Sequence, residues 1–264
     1  MRAQCRMQNA ECRMQNAECG MLIARANPWI CLGVAFVWLG LVAFAPQPPQ
    51  GALPSLPAIV VSSLFQFALL FSAVFATATS VPRRREDIQG GFAAWGRRVL
   101  HADLFASPRL AAGRVLRAGL LAGLAMTAVS AVLATAVGLI TEAAGHEVEL
   151  QQIVDIFQRS AWPAKAALFT STTLCSPIFE ELFFRYALES VIAGATGSAN
   201  RALAYTAVLF SAMHGNLAAM PSLMAVSVGC SLVYRRTGNL AAPIAAHFLF
   251  NLVSIAIILC GGAG

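Results

Sequence analysis

Long apolar stretches dominate this chain and restrict what it can fold into. Several of them approach or exceed the roughly 18 residues that mark a membrane-spanning helix. Charged residues make up only 11% of the sequence and hydrophobic residues 58%, whereas an ordinary soluble domain carries about 25% charge. So few charges cannot cover a globule in water, but they suit a surface that faces lipid. We therefore predict an all-α fold, a polytopic bundle of transmembrane helices.

The apolar runs divide into about seven predicted spans. A proline-rich loop at 46–57 separates the first two spans, because proline blocks continuation of a helix. An arginine-rich interlude at 81–117 separates the second from the third, and it is either an amphipathic segment on the membrane surface or a solvated loop. The predicted spans are 29–45, 58–79, 118–140, 162–193, 201–214, 217–234 and 240–260.

The N-terminus carries a short exact repeat. Residues 5–11 read CRMQNAE, and residues 12–18 repeat them. Two copies are too few for a coiled coil, which needs several heptads. Residues 1–28 are therefore predicted to be a disordered tail, or translated repetitive DNA upstream of a true start at Met21. The rest divides into an N-terminal transmembrane region at 29–159, with its basic cytoplasmic loop, and a second region at 160–258.

The distribution of basic residues predicts the orientation of the chain. The net charge is +6, and no aromatic-plus-basic pattern of a nucleic-acid module is present. The basic residues instead cluster in loops on one side of the predicted spans, and such loops are cytoplasmic. We expect a multi-pass protein of the cell (inner) membrane, with its N-terminus cytoplasmic and its C-terminus outside.

Two acidic residues and two histidines within or at the end of predicted spans are candidates for function. Charged side chains there cost about 2.5–3.5 kcal/mol each on insertion scales and usually serve a function. A buried ion pair that only joins helices is the alternative explanation. The residues are Glu180, Glu181, His214 and His247.

Helical spacing predicts how these residues are used. Glu181 and Arg185 are i,i+4 neighbours and can pair. Glu180 is rotated by about 100° from Glu181 and is less well placed to pair with Arg185, which suits a general base acting on water. His247 and Asn251 share a face of the last span. At about 1.5 Å per residue, Glu180 lies at a similar depth to His214, His247 and Asn251. These side chains can therefore converge on one pocket inside the bilayer.

Two routes to hydrolysis are open for such a pocket. In the first, Glu180 takes a proton from water, and His247 and Asn251 donate hydrogen bonds to the developing oxyanion. In the second, the histidines bind zinc and a glutamate activates the metal-bound water. We favour the first, with no metal or other cofactor, because H-E-x-x-H is absent. The seven cysteines include no C-x-x-C pair, so neither a disulfide framework nor a cysteine zinc site is supported.

Three motifs in order make the pattern specific. Residues 180–185 read EELFFR and fit E-E-x-x-x-R. Residues 210–214 read FSAMH and fit F-x-x-x-H, and residues 247–251 read HFLFN and fit H-x-x-x-N. Together these motifs resemble the CAAX protease and bacteriocin-processing family (CPBP, or Abi) of intramembrane proteases, over about 160–258.

The resemblance implies an endopeptidase that cleaves membrane-embedded or lipidated proteins or peptides. It implies that Glu180 activates water with the help of His214, and that His247 and Asn251 form the oxyanion hole. Glu181 and Arg185 would organise the site, and Phe210 would support it. Older descriptions of the family call it metal-dependent. A non-enzymatic transporter or peptide-binding scaffold is the competing hypothesis, because intramembrane charges also relay protons or hold substrates.

Overall fold

The structure is a computed structural model that describes residues 33–35, 37, 53–79, 111–146 and 152–261. Within these ranges the chain is all helical and contains no strand, which confirms the predicted fold class. The repeat tail at 1–28 lies outside the described residues. So do most of the first predicted span at 29–45 and most of the interlude at 81–117.

Nine α-helices and two π-helical segments carry the described architecture, apart from the short stretch at 33–37. The α-helices are α1 (Leu56–Thr79), α2 (Ala112–Ala143), α3 (Gln152–Arg159), α4 (Trp162–Phe169), α5 (Ser176–Glu181), α6 (Glu189–Thr196), α7 (Ala199–Ala212), α8 (Met220–Thr237) and α9 (Ala241–Gly261). The first π segment, Thr170–Cys175, joins α4 to α5, and the second, Leu182–Leu188, joins α5 to α6. The helix predicted at 162–193 is therefore a continuous run, here called the site helix, that changes its winding twice.

Three of the described helices are long and apolar enough to cross a membrane: Leu56–Phe75, Ala112–Ala143 and Ala241–Cys260. The prediction of about seven spans is therefore not confirmed. The π segments divide the site helix into short pieces. Helix α7 has 14 residues and reaches about 21 Å at 1.5 Å per residue, which is less than the roughly 30 Å of a bilayer core.

A proline follows the first π segment and leaves one of its carbonyls without a helical donor. In a π-helix the carbonyl of residue i accepts from the N–H of residue i+5, and the Ser176 N–H donates to the Ser171 carbonyl in this way. The next carbonyl, that of Thr172, would need the N–H of residue 177. That residue is Pro177, which has no N–H to donate. The Thr172 carbonyl therefore has no donor within its own helix and can accept from another element.

Small residues let α2 pack closely against α9, the helix that carries His247. Gly119 and Gly123 stand four apart on α2, the spacing that allows backbones to approach within membrane proteins. A Cβ built on Gly119 would lie 2.4 Å from the Ala242 carbonyl oxygen, and one on Gly123 would lie 2.8 Å from that of Ala246. The close approach of α9 to α2 therefore depends on these two glycines.

Replacing Gly119 by alanine is expected to destabilise the protein by about 1–3 kcal/mol, because overpacking forces the backbone of α9 to move. The lowered midpoint of thermal unfolding in detergent measures this. Gly113→Ala on the same helix is the matched control, since its Cβ would meet nothing within 4 Å. That control should leave the midpoint unchanged or raise it, because alanine is the better helix former. Equal midpoints for the two variants would contradict the close approach.

Candidate active site

The predicted site residues come from the site helix, α7 and α9. Helix α5 ends with Glu180 and Glu181, both buried. Helix α7 brings Phe210, which is fully buried, and His214 follows its end. Helix α9 brings His247, which is 3% exposed. Burial of so many ionisable groups is tolerated only where they have polar partners, so the partners define the site.

Glu181 is the centre of the hydrogen bonds in the site. Arg185 Nε donates to Glu181 Oε2 at 2.9 Å, so the pair predicted from i,i+4 spacing is present. His247 Nδ1 lies 2.9 Å from Glu181 Oε1. Because an ionised carboxylate only accepts, His247 Nδ1 carries the proton in this contact. The histidine ring is thereby fixed, with Nε2 directed away from Glu181.

Glu180 presents one oxygen that has no protein donor. The Ser176 hydroxyl donates to Glu180 Oε1. The other oxygen, Oε2, is buried and makes no hydrogen bond within the described part of the chain. It lies 3.9 Å from His247 Nε2, which is beyond hydrogen-bonding distance. A carboxylate oxygen and an imidazole nitrogen therefore face each other, and each keeps hydrogen-bonding capacity for a third molecule.

Phe210 holds the two histidines and the arginine together. Its ring centroid lies 4.9 Å from that of His214 and 5.9 Å from that of His247. Arg185 Cζ lies 5.8 Å from the same centroid, a distance at which an aromatic face attracts a guanidinium. Removal of this ring would leave a cavity between three polar side chains. Phe210 thus packs against all three of these side chains, and its supporting role stays a prediction.

His214 and Asn251 approach the centre without bonding to it. His214 is exposed, and its Nδ1 donates to the Phe210 carbonyl at 2.8 Å, so Nε2 is left as an acceptor. Asn251 Nδ2 donates to the Thr172 carbonyl at 2.8 Å, the carbonyl that Pro177 leaves without a helical partner. An amide group has two N–H donors, so one remains. Across the described residues, neither side chain hydrogen-bonds to Glu180 or His247.

Some neighbours of the site were not found by sequence reasoning. Ser176 stands four residues before Glu180, a spacing that could have indicated it. Cys230 was read as a small hydrophobe, but its Sγ lies in a cluster with a carboxylate oxygen of Glu181 and a ring nitrogen of His247, all within 4.8 Å of one another. Nothing in the sequence around Ser227 marks it as part of the site, yet its Oγ accepts a hydrogen bond from Arg185 Nη1 at 3.2 Å.

The cluster around Cys230 does not fit a metal ion well. Glu181 already accepts from His247 Nδ1 and from Arg185 Nε. A cation bound there would have to displace the first donor and lie beside a buried guanidinium, which would repel it. Zinc also needs a cysteine ligand as its thiolate, and Cys230 is fully buried beside the Glu181 carboxylate. The hydrogen bonds favour an ion pair over a metal centre.

The part of the chain that carries the three motifs is similar to a known protein family. Residues 161–253 match the type II CAAX prenyl endopeptidase Rce1-like family. The match confirms the resemblance to CAAX-type proteases that the motifs gave. It covers about a third of the chain and includes Glu180, Glu181, Arg185, Phe210, His214, Cys230, His247 and Asn251. No curated protein and no solved structure gives a significant match.

The Rce1-like match indicates an intramembrane endopeptidase in general. The apolar helices α1, α2 and α9 agree with a membrane protein.

Proposed function

We propose that the chain is an intramembrane endopeptidase of the CAAX type in which Glu180 activates a water molecule. The observation that carries the proposal is the facing of Glu180 Oε2 and His247 Nε2, 3.9 Å apart in a buried site. Neither atom hydrogen-bonds to the other, and Glu180 Oε2 has no donor among the described residues. A base and a donor beside one small space are what peptide hydrolysis needs.

In this mechanism Glu180 takes a proton from water as its oxygen attacks the scissile carbonyl carbon. The carbonyl π electrons move to oxygen, and a tetrahedral oxyanion forms. The oxyanion electrons then re-form the carbonyl bond as the C–N bond breaks, and Glu180 gives the proton to the leaving nitrogen. His214 assists through its free Nε2, which can accept from the same water. Each proton and electron pair is thus accounted for without a cofactor.

The oxyanion requires donors, and His247 is suited to this role when protonated. Its Nδ1–H is engaged by Glu181, so Nε2 can donate only in the imidazolium form. The Glu181 carboxylate, held by Arg185, stabilises that cation. The remaining N–H of Asn251, one helical turn further along α9, is the second donor. Donors fixed in place before the reaction stabilise developing charge most effectively.

The bonding of Glu181 supports a reaction without metal. Both of its oxygens accept from protein donors, and the neighbouring guanidinium disfavours a cation. Substrates are proposed to be membrane-associated or lipidated peptides, in agreement with the description of the matched family. The bilayer would concentrate such substrates at the helices that carry the site.

A cleavage assay with the full chain in detergent tests this function. Two fluorogenic peptides of one CAAX sequence are compared, one farnesylated at its cysteine and one with the free thiol. We expect Glu180-dependent cleavage of the farnesylated peptide, at a rate that a strong chelator leaves within about twofold. Loss of activity on chelation that zinc restores would overturn the metal-free mechanism. Absence of cleavage of both peptides would overturn the proteolytic function and favour a transporter or scaffold.

A further inference from the structure

An ion-pair chain leads away from the site along two helices. On the site helix, Glu181, Arg185 and Glu189 follow one another at i,i+4 spacing. Arg185 Nε contacts Glu181 at 2.9 Å, and its Nη1 lies 3.9 Å from Glu189 Oε2. Glu189 then pairs with Arg235 of α8, whose Nη2 lies 2.8 Å from Glu189 Oε1. These four residues are called the ion-pair chain below.

Helix α8 matches the site helix with polar residues at the same spacing. Ser227, Ser231 and Arg235 are four residues apart in an otherwise apolar stretch. The Ser227 Oγ accepts from Arg185 at 3.2 Å, and the Ser231 Oγ donates to Glu189 Oε2 at 2.7 Å. Arg235 Nε adds a second bond to Glu189 at 3.2 Å. Each of these hydrogen bonds joins the site helix to the facing turn of α8.

The ion-pair chain is balanced in charge and almost completely buried. Glu181 is 0%, Arg185 1% and Glu189 6% exposed, and the Arg235 side chain is 27% exposed. Two carboxylates therefore face two guanidiniums. Loss of one partner in a buried set leaves an uncompensated charge. Without Glu189, Arg235 would lose its carboxylate partner, and Arg185 would keep only Glu181, which also holds His247.

Arg235 also connects Glu189 to α7, the helix that carries Phe210 and precedes His214. Its Nη2 donates to the carbonyl of Ala199, the first residue of α7. Glu189 thus has two connections to the site. One runs through Arg185 to Glu181, and the other runs through Arg235 to the start of α7.

We propose that Glu189 is a positioning residue for peptide hydrolysis, acting as the second counter-ion of Arg185 and as the anchor of Arg235. This inference rests on the proposed function. It assigns a task to a buried acid that lies outside the three motifs. Glu189 acts through Arg185 and Arg235 and takes no part in the chemical step. It gives Arg185 a second carboxylate partner, which helps to hold the guanidinium in place, and its charge contributes to the electrostatic potential at the site.

The negative charge of Glu189 also affects the electrostatic potential at the site. Glu189 lies nine residues from Glu180, about 13 Å along the helix. Removal of its negative charge makes the electrostatic potential at the site more positive, so we expect the acid limb of the pH–rate profile to lie at lower pH. Removal of the Arg235 charge acts in the opposite direction. Within the described residues, the charged or titratable groups linked to Glu180 and His247 through the contacts given above are Glu181, Arg185, Glu189, Cys230, Arg235 and His214.

The test compares the pH–rate profiles of the full chain and three variants with the farnesylated peptide. Glu189→Gln should lower kcat by about 10- to 100-fold, because small displacements of reacting groups are costly. It should also move the acid limb by about half a pH unit to lower pH. Arg235→Gln should move that limb to higher pH. The double variant, which restores charge balance, should return it to the wild-type position.

A merely structural role would change the amount of active enzyme but not the position of the acid limb. Glu142→Gln is the matched control, since it removes the same charge from an exposed position at the end of α2, and its profile should equal that of the wild type. An unmoved limb in Glu189→Gln, or an unchanged kcat, overturns the positioning role. Wild-type activity that does not depend on Glu180 overturns the proposed function instead.

Discussion

Replacement of Glu180 by glutamine is expected to lower kcat for peptide cleavage by about 10²- to 10⁴-fold, the contribution of a general base. Glutamine keeps the size of the side chain and still accepts from the Ser176 hydroxyl, but it cannot take a proton from water. The fold should be retained, because Oε2 has no protein donor to lose among the described residues. Initial rates with the farnesylated peptide and the midpoint of thermal unfolding measure the two effects separately.

The exposed Glu142 provides the control for this prediction as well. Glu142→Gln removes one carboxylate outside the site and should cleave the peptide at the wild-type rate. If Glu180→Gln keeps more than about a tenth of the wild-type kcat, Glu180 is not the general base. If its unfolding midpoint falls together with its activity, Glu180 serves the fold and the loss of rate is secondary.

Replacement of Arg185 by methionine is expected to destabilise the protein by about 3–5 kcal/mol, the cost of leaving a buried charge without its partner. Arg185 is 1% exposed and lies within 4 Å of both Glu181 and Glu189. It also lies near the faces of Phe184 and Phe210. The variant therefore loses the cation that both carboxylates contact, and Glu181 is left buried without its guanidinium partner. Thermal and denaturant unfolding in detergent measure the change.

Two further variants separate charge from packing at Arg185. Glu181→Met combined with Arg185→Met removes both partners, and it should recover part of the lost stability because no lone charge remains beside His247. Arg201→Met, at an exposed position on α7, should leave stability unchanged. An Arg185→Met protein as stable as the wild type would show that the buried ion pair contributes nothing to the fold.

Sequence reasoning predicted those features of the site that depend on local spacing. The Glu181–Arg185 pair follows from i,i+4 geometry, and it is present at 2.9 Å. The predicted site helix at 162–193 corresponds to a continuous helical run from Trp162 to Thr196. The motif pattern gave the resemblance to CAAX-type proteases, which the Rce1-like match over 161–253 confirms for that part of the chain. Apolar length alone gave too simple a view of the spans, because it does not register a change from α to π winding.

The sequence by itself determined that this chain forms helices suited to a membrane, and it determined which polar side chains share a helical face. These properties depend on residues within one or two turns of each other. Only the tertiary structure decided that His247 bonds to Glu181, that Asn251 bonds to the carbonyl left by Pro177, and that Arg235 reaches Glu189. Those partners are 66, 79 and 46 residues apart along the chain. Helical periodicity carries no information over such distances, so the packing of α8 and α9 against the site helix settles these contacts.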